Sequence, residues 1–205
     1  MTRRLMAAEP SPVNAPTSMK QIRPADVALG MIGLATVAAT IWAVPGTGGF
    51  LGAGLALVML AIAAIDYCYF IIPDELTAAA LVLGLINAAV VDAPSMVDGV
   101  AIAALRGLAT MSFFLGLRWI YGWLRQREGL GLGDVKLAFV AGAWLDWIMI
   151  PVAIEIAALG ALVAYGAWRA IGKQVLNRAS RLPFGLFFAP AIWLSWLLGA
   201  VIHAF

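Results

Sequence analysis

Seven apolar stretches, joined by short connectors, occupy almost all of this 205-residue chain. With 63% of residues hydrophobic, 12% charged and a mean hydropathy of +0.96, a water-soluble domain of this size could not hide the apolar side chains it would carry. The chain therefore reads as an integral membrane protein. The first stretch, residues 26–44, can cross about 30 Å of hydrocarbon at about 1.5 Å per residue, and Pro45-Gly46-Thr47-Gly48-Gly49 breaks it. The expected fold is all-α: a polytopic helical bundle of about seven transmembrane helices.

The remaining stretches cover residues 50–65, 76–91, 96–123, 134–147, 148–169 and 184–203. Ile72-Pro73-Asp74-Glu75 forms a proline-marked turn between the second and third, and a Gly-rich polar loop runs over 125–133 between the fourth and fifth. Residues 1–25 are polar and Pro-rich and read as an unfolded cytoplasmic tail, which leaves 26–205 as one membrane-embedded domain.

Short loops rich in Lys and Arg stay on the cytoplasmic side. Arg3, Arg4, Lys20 and Arg23 precede the first stretch, Arg118, Arg125 and Arg127 flank the fourth connection, and Arg169, Lys173, Arg178 and Arg181 fill the sixth. The alternate connections hold no basic residue. A seven-span bundle in the inner (plasma) membrane with its N-terminus in the cytoplasm satisfies the pattern, and it puts Asp66, Asp74 and Asp134 at the cytoplasmic ends of their helices.

One cysteine, Cys68, and one histidine, His203, exclude an internal disulfide, a Cys- or His-built metal site and a Ser-His-Asp triad. A net charge of only +2 gives no nucleic-acid-binding surface. Chemistry is left to carboxylates. Asp66 ends an apolar run and loses hydration there, whereas Asp134 opens a helix, where the macrodipole and unpaired N–H groups favour its charged form. Two such carboxyls brought together cannot easily both ionise, so one keeps a proton while the other acts as base toward a shared water, the logic of aspartyl proteolysis. Gly131 and Gly133 give an extended peptide close access to Asp134.

These residues resemble a known family. Gly131-Leu132-Gly133-Asp134 within 127–145, Asp66 followed by Ile72-Pro73-Asp74, and Leu182-Pro183-Phe184-Gly185 are similar, in order and topology, to the signature segments of the type IV prepilin leader peptidases, GxGD aspartyl proteases. The resemblance covers the chain from the second stretch onward and implies a six-helix protease core preceded by one further helix. It implies that Asp66 and Asp134 are the catalytic pair, cleaving a short basic leader from a prepilin or pilin-like precursor at the cytoplasmic face. Gly131, Gly133, Asp74, Glu128 and Lys136 become candidates for substrate binding or support. No metal or other cofactor is implied for proteolysis. Larger family members carry paired CxxC motifs and also methylate the new N-terminus with S-adenosylmethionine. The lone Cys68 matches the short form and leaves methyl transfer undecided.

Bland readings stand beside each of these. Asp134 is also a good helix cap, Asp66 a candidate for an interfacial ion pair, and Asp74 reads first as a cap for the third helix and second as a reserve catalytic aspartate. Lys136 either tunes a carboxylate or snorkels; Glu128 either meets a basic leader or is solvated. Cys68 reads as an inert buried thiol, and the eight tryptophans mostly as an aromatic belt. Similar depths of Arg106 and Glu155 predict a salt bridge between them. A different class of function, a small transporter relaying protons through intramembrane carboxylates, would place acids near mid-membrane. Lipid is the expected surround, and a homo-oligomer is compatible with the sequence.

Overall fold

The computed structural model of the protein describes residues 24–91, 95–125, 130–170 and 183–203. Among them every regular element is an α-helix: α1 (Pro24–Ala43), α2 (Thr47–Tyr69), α3 (Asp74–Val90), α4 (Met96–Arg125), α5 (Leu132–Trp144), α6 (Met149–Ala170) and α7 (Phe184–His203). Four of them, α2, α4, α6 and α7, are long and apolar enough to cross a membrane, and α1 adds a shorter apolar helix over Val27–Ala43. The protein is an all-α polytopic membrane protein. Most of the N-terminal tail, the Glu128 loop and the basic 171–182 connection lie outside the described residues.

Local chemistry explains where the helices stop. Pro73, with φ −66° and ψ 134°, stands as N-cap of α3, and Asp74 and Glu75 in the first turn complement the positive end of the helix dipole. The Thr77 hydroxyl donates to the Pro73 carbonyl at 2.9 Å and closes that turn. Asp74 makes no side-chain capping bond, so its expected role as a cap is replaced by a charge at the first helical position. Helix α2 runs one turn past the expected end, through Asp66 to Tyr69, and finishes with Phe70 in a left-handed conformation, φ 57°. Its extra turn leaves Asp66 inside the helix and Cys68 exposed rather than buried.

Helix α5 is the centre of the bundle. At 13 residues it covers only about 20 Å, and it packs against α3, α4 and α7 with Leu137, Val140 and Ala141 fully buried. Small residues let its neighbours come close: a methyl group on Gly142 would stand 2.5 Å from the Arg106 carbonyl oxygen of α4. Across the bundle the Trp196 indole of α7 lies directly on Gly52 of α2, where an added methyl would sit 2.0 Å from the ring. Trp144 and Trp196 meet edge to face at 5.8 Å in the interior, and Trp144 Nε1 donates to the Ala80 carbonyl at 2.8 Å. These two indoles are core, whereas Trp42, Trp119, Trp123 and Trp147 are exposed as a belt would be.

The predicted Arg106–Glu155 bridge does not form. Arg106 Nη1 pairs with Asp146 Oδ1 at 2.7 Å, and Glu155 is exposed on α6. The reason is which helix lies alongside: α4 packs on α5, so the residue just past α5 reaches Arg106, while α6 packs chiefly on α7.

Candidate active site

Connectivity alone brings the C-terminal end of α2 and the N-terminal ends of α3, α5 and α7 to one side of the bundle. They part around a cavity of about 330 Å3, with Asp66, Ile72, Asp74, Asp134, Lys136 and Phe184 in its wall. The two aspartates predicted to work together, 68 positions apart in the chain (134 − 66), therefore line one space. Both are buried: Asp66 is 4% exposed and Asp134 8%.

Each carboxylate is anchored by the start of a helix. Asp66 Oδ2 accepts the Leu186 backbone N–H at 2.8 Å, and the Gly185 N–H is a second backbone donor to the same group. These are orphan donors of the first turn of α7, which a carboxylate satisfies well. A methyl group on Gly185 would stand 2.9 Å from Asp66 Oδ2, so the Pro183-Phe184-Gly185 segment owes its glycine to the carboxylate it admits. The sequence offered that segment only as a motif; the bond to Asp66 is its physical content.

Asp134, the third residue of α5, reaches back so that its Oδ2 accepts the Gly131 N–H at 3.2 Å. It thus does serve the helix start, while facing the cavity.

Gly131 has an ordinary extended backbone, φ −71° and ψ 150°, and a methyl there would sit 3.2 Å from Asp134 Oδ2. The loop ahead of it is held by Arg118 of α4, whose Nη1 donates to the Leu130 carbonyl. Arg118 entered the sequence reading only as a topology marker; nothing in its spacing pointed to this anchor. Asp74 and Lys136 pair with each other, Oδ1 to Nζ at 2.6 Å, on the rim, so Lys136 neutralises Asp74 and ties α3 to α5. Glu128 lies outside the described residues. Among the described residues no group of three or more His, Cys, Asp or Glu could hold a metal ion.

The model of the type IV leader peptidase family matches residues 53–166, more than half of the chain and inclusive of both aspartates. The chain belongs to the type IV leader peptidase family. Among its relatives in that family, the prepilin leader peptidase/N-methyltransferase of Aeromonas hydrophila is 32% identical over 169 residues, 81% of this chain and 55% of the relative. The protein of the same name from Pectobacterium carotovorum is 32% identical over 84% of this chain and 58% of its own length, and that of Burkholderia pseudomallei 36% identical over 66% and 42%. The chain spans about half the length of the curated relatives it matches. No solved structure matches it.

Proposed function

We propose that this chain is a membrane aspartyl endopeptidase of the type IV leader peptidase family that removes the basic leader of a type IV prepilin or pilin-like precursor. The observation that carries the reading is the pair of buried carboxyls, Asp66 and Asp134, facing one cavity from two helices and each braced by backbone N–H groups. In this mechanism one carboxyl keeps its proton and hydrogen-bonds the scissile carbonyl, and the other takes a proton from water as it attacks. The proton then passes to the leaving amine, returning the pair to its starting state. A cavity of about 330 Å3 has room for a short extended backbone segment and a water.

The basic residues at the ends of α4 and α6, Arg118, Arg125 and Arg169, lie by connectivity on the aspartate side. By the positive-inside rule that side faces the cytoplasm of an inner membrane, with the N-terminus there too. The proton-relay transporter has no feature in its favour, since both buried aspartates occupy one end of the bundle. The relatives' names carry a second activity, N-methyl transfer. We extend only the peptidase half to this chain, because the paired carboxyls are what support it.

The test is cleavage of a purified prepilin by the full chain in detergent or vesicles, read by mass spectrometry with S-adenosylmethionine present. Wild type is expected to release the leader. Asp66→Asn and Asp134→Asn are expected to fold and insert, yet to lose cleavage by about 10^4-fold or more, the scale on which a reaction depends on its acid and base. Wild-type processing by either variant refutes the assignment. The product mass, with or without an added methyl, reports the second activity separately.

A further inference from the structure

One side chain at the site belongs neither to the paired carboxyls nor to their backbone anchors. Ile72 lies in the connector between α2 and α3, half-buried against the core and in the cavity wall. It touches both aspartate platforms. A methyl group on Gly133, the residue before Asp134, would stand 3.0 Å from Ile72 Cβ and 3.2 Å from its Cδ1. A methyl group on Gly185, which donates to Asp66 alongside Leu186, would stand 2.8 Å from Ile72 Cδ1. The two glycines are thus sockets at the starts of α5 and α7, and one side chain fills both.

That side chain is stiff. The following residue, Pro73, restricts Ile72 to extended backbone, and β-branching restricts its χ1. A rigid body wedged between two helix starts sets their separation in both directions, since neither socket wall can close further and the wedge cannot swing aside.

We propose that Ile72 is a positioning residue: a two-sided spacer that sets the gap between the N-termini of α5 and α7 and so holds the Asp134 and Asp66 carboxyls at their working distance. The proposal rests on the reading of these aspartates as the catalytic pair. Its expected signature is a loss of turnover without a loss of substrate affinity, because a displacement of about 1 Å in reacting groups lowers rate by about a hundredfold.

Two variants dissect the sockets. Ile72→Val removes the Cδ1 that reaches both glycines and keeps the Cβ and Cγ1 against Gly133; Ile72→Ala empties the Gly185 socket and leaves only the Cβ against Gly133. In prepilin cleavage by the full chain, kcat should fall about tenfold in Ile72→Val and about a hundredfold in Ile72→Ala, with KM within about twofold of wild type. A second measurement reads geometry without cleavage. In the full chain carrying Cys68→Ser, Asp66→Cys and Asp134→Cys, thiol cross-linkers of graded length should show one preferred length, and adding Ile72→Ala should shift and broaden that preference. Wild-type kcat in Ile72→Ala overturns the proposal. So does a rise in KM at unchanged kcat, which would make Ile72 a substrate contact, or a fall in kcat with an unmoved cross-linking profile. Should Ile72→Ala fail to insert, Ile72→Val and Ile72→Met are judged by the same criteria. If even wild type leaves prepilin uncut while the cross-linking profile still moves, the peptidase reading is lost and the spacer stands.

Discussion

Glycine does opposite work in two regions of this molecule. In the seam between α4 and α5, Gly142 brings main chain against main chain, and an added methyl would meet the Arg106 carbonyl oxygen at 2.5 Å. Around the aspartate cavity, Gly133 and Gly185 face side chains, those of Ile72 and Asp66. The seam uses the missing Cβ for closeness, and the mouth uses it for room. Backbone meets backbone at the seam, and side chains seat against backbone at the mouth.

The largest effect expected from this contrast is in the seam. Gly142→Ala has no rotamer to turn, since the obstacle is backbone, so α4 must move off α5 at a cost of about 3 kcal/mol or more. Thermal unfolding in detergent should show it. A variant as stable as wild type would mean that the two helices are not in main-chain contact, and the contrast would fail on its rigid side.

A smaller effect tests the mouth. Gly185→Ala sets its methyl against side-chain ends, Ile72 Cδ1 at 2.8 Å and Asp66 Oδ2 at 2.9 Å, and should cost about 1–2 kcal/mol in the same unfolding measurement. A loss equal to that of Gly142→Ala would erase the difference between backbone and side-chain contact.

The ion pairs give the finest comparison. Asp146→Asn strands the Arg106 side chain, 8% exposed, but the lost partner is 58% exposed, so solvent screening reduces the cost to about 1–2 kcal/mol. Asp74→Asn breaks a pair whose partners are 47% and 70% exposed and should cost less than about 1 kcal/mol while leaving prepilin cleavage intact. Loss of cleavage in a folded Asp74→Asn protein would transfer the first catalytic role from Asp66 to Asp74.

Most of the helix map could be read from the residues. The stretch predicted over 184–203 is α7 itself, and Met96 opens α4 as expected. The miss in α2 has a local cause: Tyr67-Cys68-Tyr69 after Asp66 continues the helix by one turn, and a charged residue in an apolar run looked like an end. The miss at Arg106 has a tertiary cause. The partner depended on which helix lay alongside, and α4 packs on α5 rather than on α6. Ile72 stood in the sequence only as part of the Ile72-Pro73-Asp74 segment, and nothing there marked its place between two glycines, because an aliphatic residue before a proline is ordinary in a membrane protein.

Composition and the order of apolar stretches were enough to determine that this chain lives in a membrane as a bundle of helices, with its suspect carboxyls at one end. Those properties follow from desolvation and connectivity, which depend on residue type and order alone. Which groups face one another was settled only by packing: Asp66 on the first turn of α7, Asp146 beside Arg106, Ile72 between two glycines. Helix rotation and tilt follow from many contacts of small individual energy summed over the whole bundle, and no single stretch of sequence contains that sum.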